Sequence, residues 1–74
     1  MKTTIKQCLG NRSLVYYKQG KWALAIADCT QILEKLDESF RKATLRRGVC
    51  YSRLERYDLA IKDLQAFTKL EPGN

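Results

Sequence analysis

The stretch Phe40-Arg41-Lys42-Ala43-Thr44-Leu45-Arg46-Arg47-Gly48-Val49-Cys50-Tyr51-Ser52-Arg53-Leu54 reads at helical pitch as two faces. Lys42, Arg46, Val49 and Arg53 recur at i, i+4, i+7 and i+11 and form one narrow stripe. Phe40, Ala43, Thr44, Cys50, Tyr51 and Leu54 cover the opposite side. Three cations on one stripe are by themselves an ordinary solvated face. They gain meaning because the same stripe recurs earlier in the chain.

Sliding the sequence by 35 residues lays Arg12 on Arg47, Tyr16 on Tyr51, Leu24 on Leu59, Ala25 on Ala60, Ile26 on Ile61 and Asp28 on Asp63. Conservative matches fill the intervals: Lys18 with Arg53, Lys21 with Arg56, Trp22 with Tyr57 and Ile32 with Phe67. The chain is a tandem duplication, with units expected at 1–39 and 40–74.

Each unit reads as two helices. Thr3 or Thr4 is the expected cap of a first helix ending near Lys18, and Gly20 suits the turn that follows. Trp22, Ala25, Ile26, Cys29, Ile32, Leu33 and Leu36 make the apolar stripe of a second helix, closed by Asp37-Glu38-Ser39, with Ser39 as the expected cap of the third. After a turn at Glu55-Arg56, a fourth helix carries Tyr57, Ala60, Ile61, Leu64, Phe67 and Leu70, and Glu71-Pro72-Gly73-Asn74 stops it. No strand pattern competes, so the fold class is all-α. Short turns make neighbouring helices antiparallel, which sets Ser13 against Ala25, Arg12 against Asp28, Gly48 near Ala60 and Arg47 near Asp63. The two Arg–Asp pairings are expected to be structural ion pairs.

Composition excludes several function classes. At 74 residues the chain holds one small domain, and 45% hydrophobic with 30% charged residues is ordinary globular usage. No apolar run approaches the roughly 18 residues of a membrane span, and Met1-Lys2-Thr3-Thr4-Ile5-Lys6 lacks the apolar core of a signal peptide. A cytoplasmic location is expected. Cys8, Cys29 and Cys50 are odd in number and form no Cys-x-x-Cys pair, so they are expected to act as small core residues in a reducing compartment. With no histidine, no metal set, no Gly-rich phosphate loop and no nucleophile beside a base, neither catalytic residues nor a cofactor nor a metal is expected. The net charge of +6 favours an acidic or anionic partner. Nucleic acid fits that charge poorly, because the cations spread over several faces and no recognition motif is present.

The period, the Gly48-x-x-Tyr51 and Tyr57-x-x-Ala60-Ile61 patterns and the closing Pro72 resemble the tetratricopeptide repeat. Arg41 to Asn74 follows the family pattern almost throughout. In the first unit Ser13 stands where glycine is usual and Asp37 where proline is common, and one extra residue lies near the junction. The resemblance implies antiparallel helix hairpins stacked as a short right-handed solenoid of four helices, whose first helices line a groove for an extended peptide. Moving the basic stripe back by one unit gives Gln7, Asn11, Leu14 and Lys18 beside Lys42, Arg46, Val49 and Arg53.

Asn11-Arg12-Ser13 and Lys42-Ala43-Thr44-Leu45-Arg46-Arg47-Gly48 resemble one subclass in particular, the carboxylate clamp. That likeness implies a co-chaperone or adaptor module. Asn11, Lys42 and Arg46 would hold the C-terminal carboxylate and acidic side chains of a Glu-Glu-Val-Asp type tail of a cytosolic heat-shock chaperone. Leu14 and Val49 would line the groove, with Tyr17, Lys18 and Arg53 at its flanks. The subclass also draws a Lys and an Asn from a preceding repeat, which this sequence does not contain; a self-sufficient solenoid usually has about three repeats, and no polar capping helix follows Pro72. A fragment of a longer array is therefore expected, or open ends near Leu9, Tyr16 and the last helix that self-association or a partner chain covers. The alternative is a general scaffold that binds another protein through those ends.

Overall fold

Local chemistry starts the first helix and ends the first helix of each pair. The Gln7 backbone N–H donates to Thr4 Oγ1 at 3.0 Å and the Thr4 N–H donates to Gln7 Oε1 at 3.1 Å, a reciprocal capping box that makes Thr4 the cap. At the far end the chain turns through Gly20, whose φ of +75° is the left-handed conformation glycine adopts freely. There the Lys21 N–H reaches Tyr16 O at 2.9 Å and the Gly20 N–H reaches Tyr17 O at 3.1 Å. The same motif recurs one unit later, where the Arg56 N–H reaches Tyr51 O at 2.8 Å and the Glu55 N–H reaches Ser52 O at 3.0 Å. There the left-handed residue is Glu55, at φ +61°.

The computed structural model describes residues 4–37 and 39–70; Thr3, Glu38 and the Glu71-Pro72-Gly73-Asn74 stop lie outside them. Four helices follow in order: α1 (Ile5–Lys18), α2 (Trp22–Gln31), α3 (Arg41–Arg53) and α4 (Tyr57–Leu70), with a π-helical turn, Ile32–Leu36, continuing α2. The described residues contain no strand, and none of their helices is long and apolar enough to cross a membrane. Helix α2 packs against α1 and α3, α3 packs on α4, and α1 touches α3, so two hairpins stack as a short helical-repeat solenoid.

Two expectations at the junction are corrected. The second helix does not keep α geometry to its end: the Asp37 N–H reaches back to Ile32 O at 2.7 Å, and Leu36 turns outward, 45% exposed, while Ile32 and Leu33 stay buried. A π turn holds one residue more than an α turn, which accommodates the extra residue of the first unit. Nor is Ser39 the cap of α3. Its N–H and hydroxyl donate to Asp37 Oδ1 at 3.0 and 2.8 Å, and Phe40 takes the cap position without a side-chain bond. The carboxylate just past the π turn captures the hydroxyl that would otherwise cap the helix.

The core comprises Cys29, Ile32, Leu33 and Ala43, with Leu9 and Phe40 packed against it, so Leu9 is not left open. Cys29 and Cys50 are fully buried and Cys8 is exposed, which corrects the expectation for that thiol. Cys8 is the counterpart of Ala43, which packs on the preceding hairpin, and no described helix covers α1 in the same way. At the other end Tyr57 and Ile61 are each 55% exposed, leaving much of the α4 stripe uncovered as expected.

Both ion pairs form. Arg12 Nε and Nη2 donate to Asp28 at 2.8 and 2.7 Å, and Arg47 Nε and Nη2 donate to Asp63 at 2.7 and 2.8 Å. Their environments differ: the Arg12 side chain is 57% exposed, that of Arg47 only 19%. Arg47 Nη1 also reaches Thr30 Oγ1 at 3.3 Å, so this guanidinium joins α3 to α2 as well as to α4. Its bonds to Asp63 outweigh desolvation and push its pKa up. Gly48 allows the α3–α4 approach, since a Cβ there would meet Asp63 Cβ at 3.2 Å and Leu64 Cγ at 3.3 Å.

A double-mutant cycle on Arg47 and Asp63 should return a coupling of about 1–3 kcal/mol in urea unfolding, the range for a partly buried, bidentate pair. Replacing Glu55 by Gly should raise stability by about 0.5–1 kcal/mol, because the left-handed conformation costs a side-chain-bearing residue more than glycine. An unchanged or lowered melting temperature for Glu55→Gly would contradict that reading of the turn. Of the three thiols, only Cys8 should react with a thiol reagent at mildly alkaline pH without denaturant. Burial raises the pKa of Cys29 and pushes that of Cys50 up to about 11. Mass spectrometry of the labelled peptides reads the difference.

Candidate functional site

The candidate site lies where the first helices of the two hairpins run side by side, and Arg46 sets their spacing. Its Nη1 donates to Gly10 O at 3.1 Å and to Ser13 Oγ at 2.8 Å, crossing from α3 to α1. Ser13 is fully buried, and its hydroxyl donates to Gly10 O at 2.8 Å while accepting from Arg46. Phe40 packs beside Gly10 at an ordinary distance: a Cβ there would lie 3.7 Å from Phe40 Cε2, so the contact itself does not require glycine. One arm of the guanidinium is thus spent on structure. No hydrogen bond from Arg46 Nε or Nη2 is recorded among the described residues.

Beside this contact opens a cleft of about 650 Å³. From α1 it is lined by Lys6, Gln7, Gly10, Asn11 and Leu14, and from the α3 side by Phe40, Lys42 and Arg46. Three cations and two side-chain amides line it, and no carboxylate belongs to the lining among the described residues. Such a set donates hydrogen bonds and stabilises negative charge, the chemistry of a carboxylate receptor. Next to it lies a smaller recess of about 220 Å³ among Leu14, Tyr17, Leu45 and Val49, also bordered by Lys42 and Arg46. Lys42 and Arg46 thus line both the cleft and the recess.

Of the residues expected at the site, Asn11, Lys42, Arg46 and Leu14 therefore share one cleft, and Val49 lines the adjoining recess. Tyr17 lines the recess as well. Lys18 and Arg53 line neither. Arg53 instead places its guanidinium 5.7 Å from the centre of the Trp22 ring, which itself meets Tyr17 edge-on at 5.4 Å. Trp22 is thus occupied by packing between the helices, as its place at the start of α2 implies.

Lys6 is the cleft residue that the periodic reading of the sequence does not single out. It lies off the stripe through Gln7, Asn11 and Leu14, and only its counterpart Arg41, one unit on, hints at a basic position. Its Nζ lies 3.0 Å from Asp37 Oδ2 and 5.1 Å over the Phe40 ring. Hydrogen bonds from Ser39, then from Lys6, hold the Asp37 carboxyl below the usual carboxylate range.

Comparison with known proteins agrees with this architecture. Residues 42–74 match a family profile described as tetratricopeptide repeat. The chain is 41% identical over 61 residues to DnaJ homolog subfamily C member 7 of Homo sapiens, covering 82% of the chain and 12% of that protein. It is 41% identical over 64 residues to RNA polymerase II-associated protein 3 of Homo sapiens, covering 86% and 10%. Identity to serine/threonine-protein phosphatase T of Aspergillus oryzae is 36% over 64 residues, covering 86% and 13%. The chain thus spans roughly a tenth of the length of these relatives. No solved structure matches it. The chain belongs to the tetratricopeptide-repeat family, and it is a helical-repeat module for protein–protein interaction.

Proposed function

We propose that the module binds the acidic C-terminal tail of a chaperone through a carboxylate clamp, with the amide of Asn11, the ammonium of Lys42 and the guanidinium of Arg46 holding the chain-end carboxylate. The observation that carries the reading is that these three side chains, drawn from two helices, line one open cleft that holds no carboxylate among the described residues. Each donor suits its part. Lys42 is exposed and offers a compact ammonium, Asn11 adds a donor without adding charge, and Arg46 is held at one edge by Ser13 and Gly10. Orienting a guanidinium before the ligand arrives lowers the cost of ordering it on binding. The adjoining recess of Leu14, Tyr17, Leu45 and Val49 would take an aliphatic side chain of the same peptide. Capture of a chain terminus by converging donors is an established mode of peptide recognition. The likeness to a DnaJ homolog is in keeping with a co-chaperone role.

A second reading, a scaffold that binds protein through the uncovered face of α4, draws on the exposure of Tyr57 and Ile61.

Titration of a peptide ending in Glu-Glu-Val-Asp separates the two. Binding should weaken about tenfold or more when the peptide is amidated at its C-terminus, and by a similar factor for Lys42→Ala or Asn11→Ala, the loss expected for a charge-assisted hydrogen bond. Equal affinity for free and amidated peptides would remove the clamp and leave the scaffold.

A further inference from the structure

The Lys6–Asp37 pair stands at the edge of the cleft with an unusual division of labour between the two carboxylate oxygens. Asp37 Oδ1 accepts from the Ser39 N–H at 3.0 Å and from the Ser39 hydroxyl at 2.8 Å, which fastens the carboxylate to the turn between α2 and α3. Oδ2 accepts only from Lys6 Nζ, at 3.0 Å, among the described residues. The turn therefore has its bonds whether or not Lys6 stays. Lys6 is 38% exposed, lies over Phe40 and lines the same cleft as Lys42 and Arg46. A partly exposed pair of this kind is weakly held, so a carboxylate offered from the cleft competes with Asp37 on nearly equal terms.

We propose that Lys6 is a further ligand-binding residue, held in reserve by Asp37, and that it exchanges this internal carboxylate for an acidic side chain of the bound peptide upstream of the chain end. The proposal rests on the clamp reading, since it takes the chain-end carboxylate to lie with Asn11, Lys42 and Arg46. Lys6 precedes Asn11 by five residues, about 7.5 Å along a helix axis, which an extended peptide covers in about two residues. An acidic side chain near the third position from the end therefore comes within reach of the ammonium. Asp37 then acts as an internal competitor: ligands that offer only a terminal carboxylate leave the Lys6–Asp37 pair in place, and an upstream acid gains Lys6 only by displacing Asp37, which moderates its advantage. Peptides with acid at both positions gain the extra contact. No covalent step is involved: the peptide's carboxylate takes the place of Asp37 Oδ2 on Lys6 and adds one negative charge at the cleft edge, while Asp37 keeps its bonds from Ser39.

The test is calorimetric titration of the 74-residue chain with peptides ending in Glu-Glu-Val-Asp and Gln-Gln-Val-Asp, each with a free and an amidated C-terminus. Lys6→Met should weaken the Glu-Glu peptide by about three- to tenfold and leave the Gln-Gln peptide unchanged. Asp37→Asn, which keeps an acceptor for Ser39, should tighten the Glu-Glu peptide by about two- to fivefold. In the Lys6→Met background that gain should vanish. Far-UV circular dichroism of each variant confirms that the helices persist. A gain from Asp37→Asn that survives without Lys6 would mean a diffuse field effect and overturn the exchange. So would a Lys6→Met loss equal for both peptides, or no loss at all. Failure of the clamp itself reads differently: free and amidated peptides would then bind wild type alike, and both proposals would go together.

Discussion

The hydrogen bonds from Arg46 to Gly10 O and Ser13 Oγ are the constraint on which the site depends. They join the first helices of successive hairpins directly, where most of the stacking runs through α2. A guanidinium can do this while still facing the cleft because its donors point in several directions from one plane. A lysine at the same position would offer a single mobile head, and using it for structure would remove it from the cleft. The buried hydroxyl of Ser13 matters for the same reason. A glycine there, as is usual in this family, would leave Arg46 only the backbone carbonyl on α1.

The repeat is also a repeat of energetics, with informative departures. Both hairpins close on an Arg–Asp pair, both arginines lie over a tyrosine of their own helix, at 5.8 Å for Arg12 and Tyr16 and 6.0 Å for Arg47 and Tyr51, and both turns use a left-handed residue. The equality ends where neighbours differ. Arg47 is flanked by a preceding hairpin and gains Thr30 as a third partner, whereas Arg12 lies open to solvent. Burial of equivalent positions follows the same logic: Ala43 is enclosed and Cys8 is not. In a solenoid the identity of a residue sets what contact it can make, and its position in the stack sets whether the contact is made.

Much of this was legible beforehand because it follows from local periodicity. The offset of 35 residues paired Arg12 with Arg47 and Asp28 with Asp63, and a hairpin centred on Gly20 or Glu55 then left each arginine only one opposite acid. The apolar stripe through Ala25, Cys29, Ile32 and Leu33 marked the core face of α2 in the same way. The π turn at Ile32–Leu36 escaped, because an added residue near a junction can be absorbed in either helix or in the loop between them. Ser39 was misplaced for a related reason: hydroxyls cap helices or bond nearby carboxylates, and only the end point of the π turn decides between them.

By itself, then, the sequence determined the helices, their pairing into two hairpins, the Arg–Asp partners and the stripe that brings Asn11 near Lys42 and Arg46, all of which rest on contacts within about one repeat. Tertiary structure alone decided which cations are available. It turned Arg53 toward Trp22, tied one arm of Arg46 to Ser13 and brought Lys6 from off the stripe to the cleft edge beside Asp37. Helical pitch assigns a residue to a face, but a long side chain chooses its partner among groups from other helices, and those are set only when the hairpins stack.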